Sequence, residues 1–348
     1  MLLRVFSKLT WLRIAVVAAG LSWSTSAAAA EGKKSTDSTS VQIVEPLPGI
    51  EYAYKKPGAL HFLTAIPGDY VRFAKYSFIE KHIPVISLLI AETALMIPCD
   101  QGIIDGAKSA GESFNLSQES HQHTLFEFDV KFKTKTVKFP FSFPSDANSC
   151  MYFLGDGITH TSIAAGFTLF GIIGKSNRAL NTGFEIAESM LASGILVQVM
   201  KHLSGRESPF VATEPGGKWT VFPNQSTYSD HVPHYDAFPS GHLATAVSTV
   251  TVIAENYPEY RLVKPVGYAL CGLLSFSMLN NGVHWASDYP LAIGIGYAFA
   301  KVVTAAGRTE IKKVASSGKN SKERLSGRPV LFPVSLLGHP ALTCRWAF

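Results

Sequence analysis

Five long apolar stretches, separated by short polar breaks, constrain this chain more than anything else in it. They run over about Ile158–Ile173, Ala179–Leu203, Gly241–Asn256, Val263–Asn280 and His284–Ala305. Each reads as a helix. Most are apolar on several sides rather than along one stripe, so neighbours must cover them nearly all round. The fold class that follows is all-α, a helical bundle, and 348 residues supply ample chain for a large core. Pro290 leaves the start of the last helix open, because proline is best tolerated in a first turn. The unbroken apolar parts Val266–Leu279 and Pro290–Val303 are shorter than the ~20 residues of a typical span. They fit a buried bundle helix or a short span, and the reading favours a membrane-associated bundle over a soluble one.

Four parts are expected along the chain: 1–30, 31–150, 151–306 and 307–348. Arg4, Lys8 and Arg13 precede an apolar run from Ile14 to Trp23, followed by small residues up to Ala30. That is the build of a secretory signal peptide cleaved after Ala30, and it predicts an exported protein of the periplasm or cell envelope. Its removal lowers the net charge from +5 to +2, so the basic balance gives no argument for a nucleic-acid partner. Pro57 to Pro98 reads as two helices. Phe126 to Phe132 alternates strictly and, with Val137 to Phe143, predicts a β-hairpin inserted ahead of the bundle. From Gly307 the chain turns basic and rich in glycine and serine, then ends over Pro329–Phe348 in short strand-like pieces. Of the four cysteines, Cys99 and Cys150 lie outside the apolar runs and are the first choice for a bridge; Cys271 and Cys344 complete the set.

Three short segments at the helix ends carry the chemistry: Lys201 to Arg206, Pro239-Ser240-Gly241-His242, and His284 to Asp288. A phosphoryl group in transfer spreads negative charge over its equatorial oxygens and needs fixed donors. Lys201 offers a point charge and Arg206 a planar fork. Ser240 and the N–H of Gly241 add neutral donors, and Gly241 lets the main chain approach closely. One histidine can serve as nucleophile and the other as general acid. Asp288, four residues after His284, can fix its tautomer as a carboxylate does in a triad. Taken singly each segment is ordinary: a helix C-terminus with a lysine, a capped turn, an amphipathic pair. A two-histidine, one-carboxylate metal site from His242, His284 and Asp288 is the rival reading, with Asp230 to Asp236 as a second group of ligand types. The cations at Lys201 and Arg206 favour an anion over a metal.

Together these segments resemble the type 2 phosphatidic-acid phosphatase superfamily, which includes bacterial acid phosphatases, lipid phosphatases and vanadium haloperoxidases. The family pattern is Lys, six residues, Arg-Pro; then Pro-Ser-Gly-His; then Ser-Arg, five residues, His, three residues, Asp. Here it reads Lys201 to Ser208-Pro209, an intact Pro239 to His242, and Ser277-Met278 through His284 to Asp288. The resemblance spans roughly Gly155 to Lys301. Two family arginines, both phosphate ligands, are Ser208 and Met278 here. Each lost donor costs about 2–4 kcal/mol of transition-state stabilisation where an oxyanion-hole donor is the guide.

The resemblance implies an exported phosphatase acting on phosphorylated small molecules or lipid phosphates, without metal or cofactor, through a phosphohistidine. His284 would be nucleophile, His242 acid and base, and Asp288 the orienter. Lys201, Arg206, Ser240 and Gly241 would hold the oxygens. The alternatives are a catalytically silent relative that binds or assembles in the envelope, and a vanadate-dependent haloperoxidase.

Overall fold

The fold is a helical bundle with small β additions. The computed structural model describes residues 41–132, 135–311, 330–336 and 339–345. The segment expected to be a signal peptide and most of the basic stretch after Gly307 lie outside the described residues. The chain divides into two units, one ending at Ile311 and a second from Lys312. In the second, β6 (Val330–Leu336) pairs antiparallel with β7 (His339–Arg345), as the strand-like tail predicted.

In the first unit, β1 (Gln42–Leu47) and β2 (Ile50–Tyr54) form a hairpin whose other edge takes up β5 (Arg308–Ile311). Apart from the short helices His61–Thr64 and Gln225–Asp230, the described helices are α1 (Ile66–Ser77), α2 (Ile83–Met96), α3 (Asp100–Ser113), α4 (Ala147–Phe153), α5 (Gly157–Ile173), α6 (Asn177–Ser204), α7 (Gly241–Asn256), α8 (Val263–Asn280) and α9 (Tyr289–Gly307). Between α3 and α4 the predicted hairpin is present as β3 (Gln122–Phe132) and β4 (Lys135–Pro144). The last bundle helix starts later than the expected His284: a 3-10 turn over Ala286–Asp288 comes first, and Pro290 lies in the first turn of α9. The Cys99–Cys150 bridge is not formed, because Cys99 is an exposed free thiol at the start of α3.

α6, α7, α8 and α9 pack around a core that includes Val197, Leu243, Leu274, Met278, Ala292 and Phe299. α6 and α7 run antiparallel: Arg178, at the start of α6, donates to the carbonyl of Asn256, the last residue of α7. Tyr54 of β2 and Arg308 of β5 reach the same asparagine. The three-stranded sheet therefore caps the end of the bundle where α6 begins and α7 ends. The opposite end carries the C-terminus of α6 and the N-terminus of α7, with their motifs. The 28 residues of α6 separate the two ends by about 42 Å.

Among the described residues, three helical segments are long and apolar enough to cross a membrane: Glu80–Ser113, Asn177–Ser204 and Ala286–Gly307. Only 6% of the most apolar window of Glu80–Ser113 is buried by the protein. Leu88 and Leu95 on α2, Ile172 and Ile173 on α5, and Val199 and Leu203 on α6 all face outward.

Candidate active site

The site is built from helix ends. α6 stops because Gly205 turns left-handed, at φ 54°, and its N–H bonds to the carbonyl of Lys201. A side chain at Gly205 would also collide with the carbonyl of Thr220. This places Lys201 in the last helical turn, where the dipole favours a cation. α7 begins at Ser240, whose Oγ accepts from the N–H of Leu243 at 3.4 Å. Gly241 and His242 are thus the first two residues of a helix N-terminus, where unpaired N–H groups favour an anion. Asp288 Oδ2 accepts from the Trp285 N–H at 2.8 Å and closes the turn that presents His284.

The two histidines meet, with ring centroids 6.3 Å apart and planes near perpendicular. His284 is almost fully buried, and its Nδ1 lies 3.3 Å from Asp288 Oδ2. That leaves Nε2 as its free nitrogen. His242 packs under Tyr152, at 5.0 Å between centroids, and against Gly155. A Cβ at Gly155 would lie 2.8 Å from that of His242, so the α4–α5 turn can sit on the histidine only because this residue is glycine. Burial, reinforced by the charges of His284 and Lys201, lowers the His242 pKa to about 3. Its ring is neutral near pH 7.

Lys201 is nearly buried, and its ammonium lies 3.3 Å from Asp236 Oδ2. Asp236 closes the segment Asp230 to Asp236, which the sequence marks only as a group of ligand types. Arg206 departs from its expected role as a phosphate ligand. It is fully buried, and both terminal nitrogens are engaged within the protein. Nη1 donates to Asp288 Oδ1 at 2.6 Å and to Ser287 Oγ at 2.7 Å. Nη2 donates to Asp100 Oδ2 at 2.6 Å and to the carbonyl of Gly216 at 2.8 Å. The guanidinium also lies over Trp219 and Trp285, at 4.7 and 5.2 Å. Asp100 additionally accepts from the N–H and hydroxyl of Ser287. Two buried carboxylates make Arg206 a fixed strut behind Asp288. Asp100 had no local signal in the sequence, because its partners lie more than a hundred residues away.

The two positions that lack the family arginine are buried. Ser208 holds its loop through a backbone bond to the Pro233 carbonyl. Met278 lies beneath Ser240, whose hydroxyl donates to the thioether sulfur at 3.6 Å. No three His, Cys, Asp or Glu side chains among the described residues are grouped to hold a metal ion. The loop histidines His231 and His234 meet edge to face at 6.3 Å, and His234 Nδ1 lies 3.5 Å from Glu207.

The structure thus brings Lys201, Ser240, Gly241, His242, His284 and Asp288 to one end of the bundle, with Arg206 behind them. No curated protein and no solved structure matches the chain. Residues 182–312 match the sequence model of the PAP2 superfamily, which generally includes phosphatases. That stretch takes in all three motifs, most of α6 and the whole of α7, α8 and α9, so the part of the chain that carries the site is similar to the PAP2, or type 2 phosphatidic-acid phosphatase, superfamily.

Proposed function

We propose that this protein is a membrane-embedded phosphomonoester hydrolase that works through a phosphohistidine. The observation that carries the reading is the pairing of His284 Nδ1 with Asp288, which leaves Nε2 free beside His242. Nε2 attacks phosphorus as the bond to the ester oxygen breaks, and His242 passes its proton to the departing alkoxide. Water then attacks the phosphohistidine, His242 takes the water's proton, and phosphate leaves with His284 restored. Asp288 stabilises the charge on the His284 ring during both steps.

His242, neutral near pH 7, must gain its proton with the substrate. A bound phosphoryl group supplies both the proton, as the monoanion, and the negative charge that keeps the imidazolium stable. Lys201 and the N-terminus of α7 hold the oxygens. The apolar outer faces of α2, α5 and α6 support membrane embedding and an ester presented at the lipid surface.

The test is turnover of 4-nitrophenyl phosphate and of lipid phosphates by purified protein. His284→Ala is expected to abolish it. His242→Ala is expected to spare only esters with good leaving groups and to accumulate an acid-labile phosphoenzyme. Turnover is expected to persist in EDTA and to fall with vanadate. A His284→Ala protein at wild-type rate would overturn the mechanism.

A further inference from the structure

Both cations that the motifs bring to this pocket are already paired with carboxylates. Arg206 is held by Asp100 and Asp288, and Lys201 by Asp236. The two further arginines of the family pattern are absent. A phosphomonoester of a neutral alcohol would therefore bring negative charge, uncompensated by any cation of its own, up to a lysine that Asp236 already shares. Like charges at this range, in a partly buried site, are strongly unfavourable.

Asp236 is the distinctive group. Its side chain is 28% exposed while that of Lys201 is 8% exposed, so the carboxylate lies on the open side of the pair. It follows Tyr235, whose ring stacks on Tyr228 at 5.8 Å. Tyr152, over His242, borders the pocket from α4. Burial raises the phenols of Tyr152 and Tyr228 to about 12, and the negative charge of Asp236 adds to both shifts. Asp236 thus directly follows an aromatic residue whose ring stacks on a second one. Carboxylate and aromatic faces together form the surroundings that a cationic amine favours.

We propose that Asp236 makes the pocket selective for phosphomonoesters whose alcohol carries a cationic amine. This rests on the phosphatase reading. When such an ester binds, Lys201 turns from Asp236 to the phosphoryl oxygens, and the ammonium of the leaving group takes the lysine's place on Asp236. Each charge keeps a partner throughout, and neither is left buried and alone. The pocket thus has less need of the two missing arginines, because part of the neutralising charge arrives on the substrate.

The experiment compares phosphoethanolamine with N-acetylphosphoethanolamine, which differs in that charge, for wild type and Asp236→Asn. A long-chain 2-amino alcohol 1-phosphate in micelles, run beside them, shows whether the amine comes on a lipid or on a small molecule. Wild type is expected to favour the charged ester in kcat/KM by about tenfold or more, the scale of one charge-assisted hydrogen bond. Asp236→Asn is expected to erase that preference and to improve turnover of the acetylated ester. Equal rates on the two esters in wild type, or a preference that survives Asp236→Asn, would overturn the proposal. Turnover of 4-nitrophenyl phosphate without an amine preference defeats this inference alone. No turnover of any ester defeats the phosphatase reading and this inference with it.

Discussion

Asp288 uses its two oxygens in opposite directions: Oδ1 accepts from Arg206 Nη1 at 2.6 Å, and Oδ2 faces His284 Nδ1 at 3.3 Å. One carboxylate couples His284 to a buried cation. The orientation of His284 therefore depends on α3, through Asp100 on the other arm of the guanidinium. Asp100→Ala leaves Arg206 buried with one acid instead of two. Removing one partner of a buried pair costs about 3–5 kcal/mol. We expect a clear drop in thermal midpoint in detergent, together with a fall in kcat that exceeds any change in KM. An unchanged midpoint would show the network to be dispensable.

Met278→Arg restores the family residue beneath Ser240, whose hydroxyl now donates to a thioether. A guanidinium there adds a charged donor to the oxyanion. We expect vanadate to inhibit more tightly by about 1–3 kcal/mol, the range for hydrogen bonds to charged groups. The thermal midpoint should fall, since Met278 is fully buried and arginine overpacks its site. Ser208→Arg should add less than its separate effect, because both cations would contact one anion. Unaltered vanadate inhibition in both variants and in the pair would count against an oxyanion pocket.

The titration of His242 sets a pH dependence of stability. Its pKa is lowered to about 3 in the fold, against about 6.5 in the unfolded chain. Below pH 6.5 the unfolded state takes up a proton that the native state refuses. Stability contributed at this site is therefore lost as pH falls from 6.5 toward 3, and regained as pH rises. Thermal midpoints of wild type should decline between pH 7 and pH 5 more steeply than those of His242→Gln. Parallel declines would assign the acid sensitivity to other groups.

Membrane embedding makes a geometric prediction. The strand residue Ile43 lies at the sheet-capped end of the bundle, and Ser226, in the short helix Gln225–Asp230, lies at the motif end. Single cysteines at these positions, with the native cysteines replaced, should react with an impermeant thiol reagent from opposite sides of sealed vesicles. Labelling of both from one side would show that the bundle does not span.

The helices were legible because their apolar residues recur through runs long enough to exclude strands. The predicted ranges Gly241–Asn256 and Val263–Asn280 coincide with α7 and α8. The β3–β4 hairpin was legible from strict alternation. The sheet of β1, β2 and β5 was not, because β5 is four residues long and its partner strand lies some 250 residues earlier. Pairing of that kind leaves no periodic trace in a local window. α3 was also missed: Asp100 to Ser113 has three glycines and two serines among its fourteen residues, a poor helical signature that packing overrides.

At the site, the sequence determined which residue types gather at the helix ends, since spacing and capping act over a few residues. It placed His284 and Asp288 within one turn, Ser240 at a helix start and Lys201 at a helix end. What each charge faces was decided only by the tertiary structure. Arg206 looked like a ligand for substrate, yet the fold presents it to Asp100 and Asp288, while Lys201 meets Asp236. Electrostatic partners are chosen by distance and burial in space. A lone arginine in a sequence carries no mark of whether its fork will meet a substrate or two carboxylates brought from elsewhere in the chain.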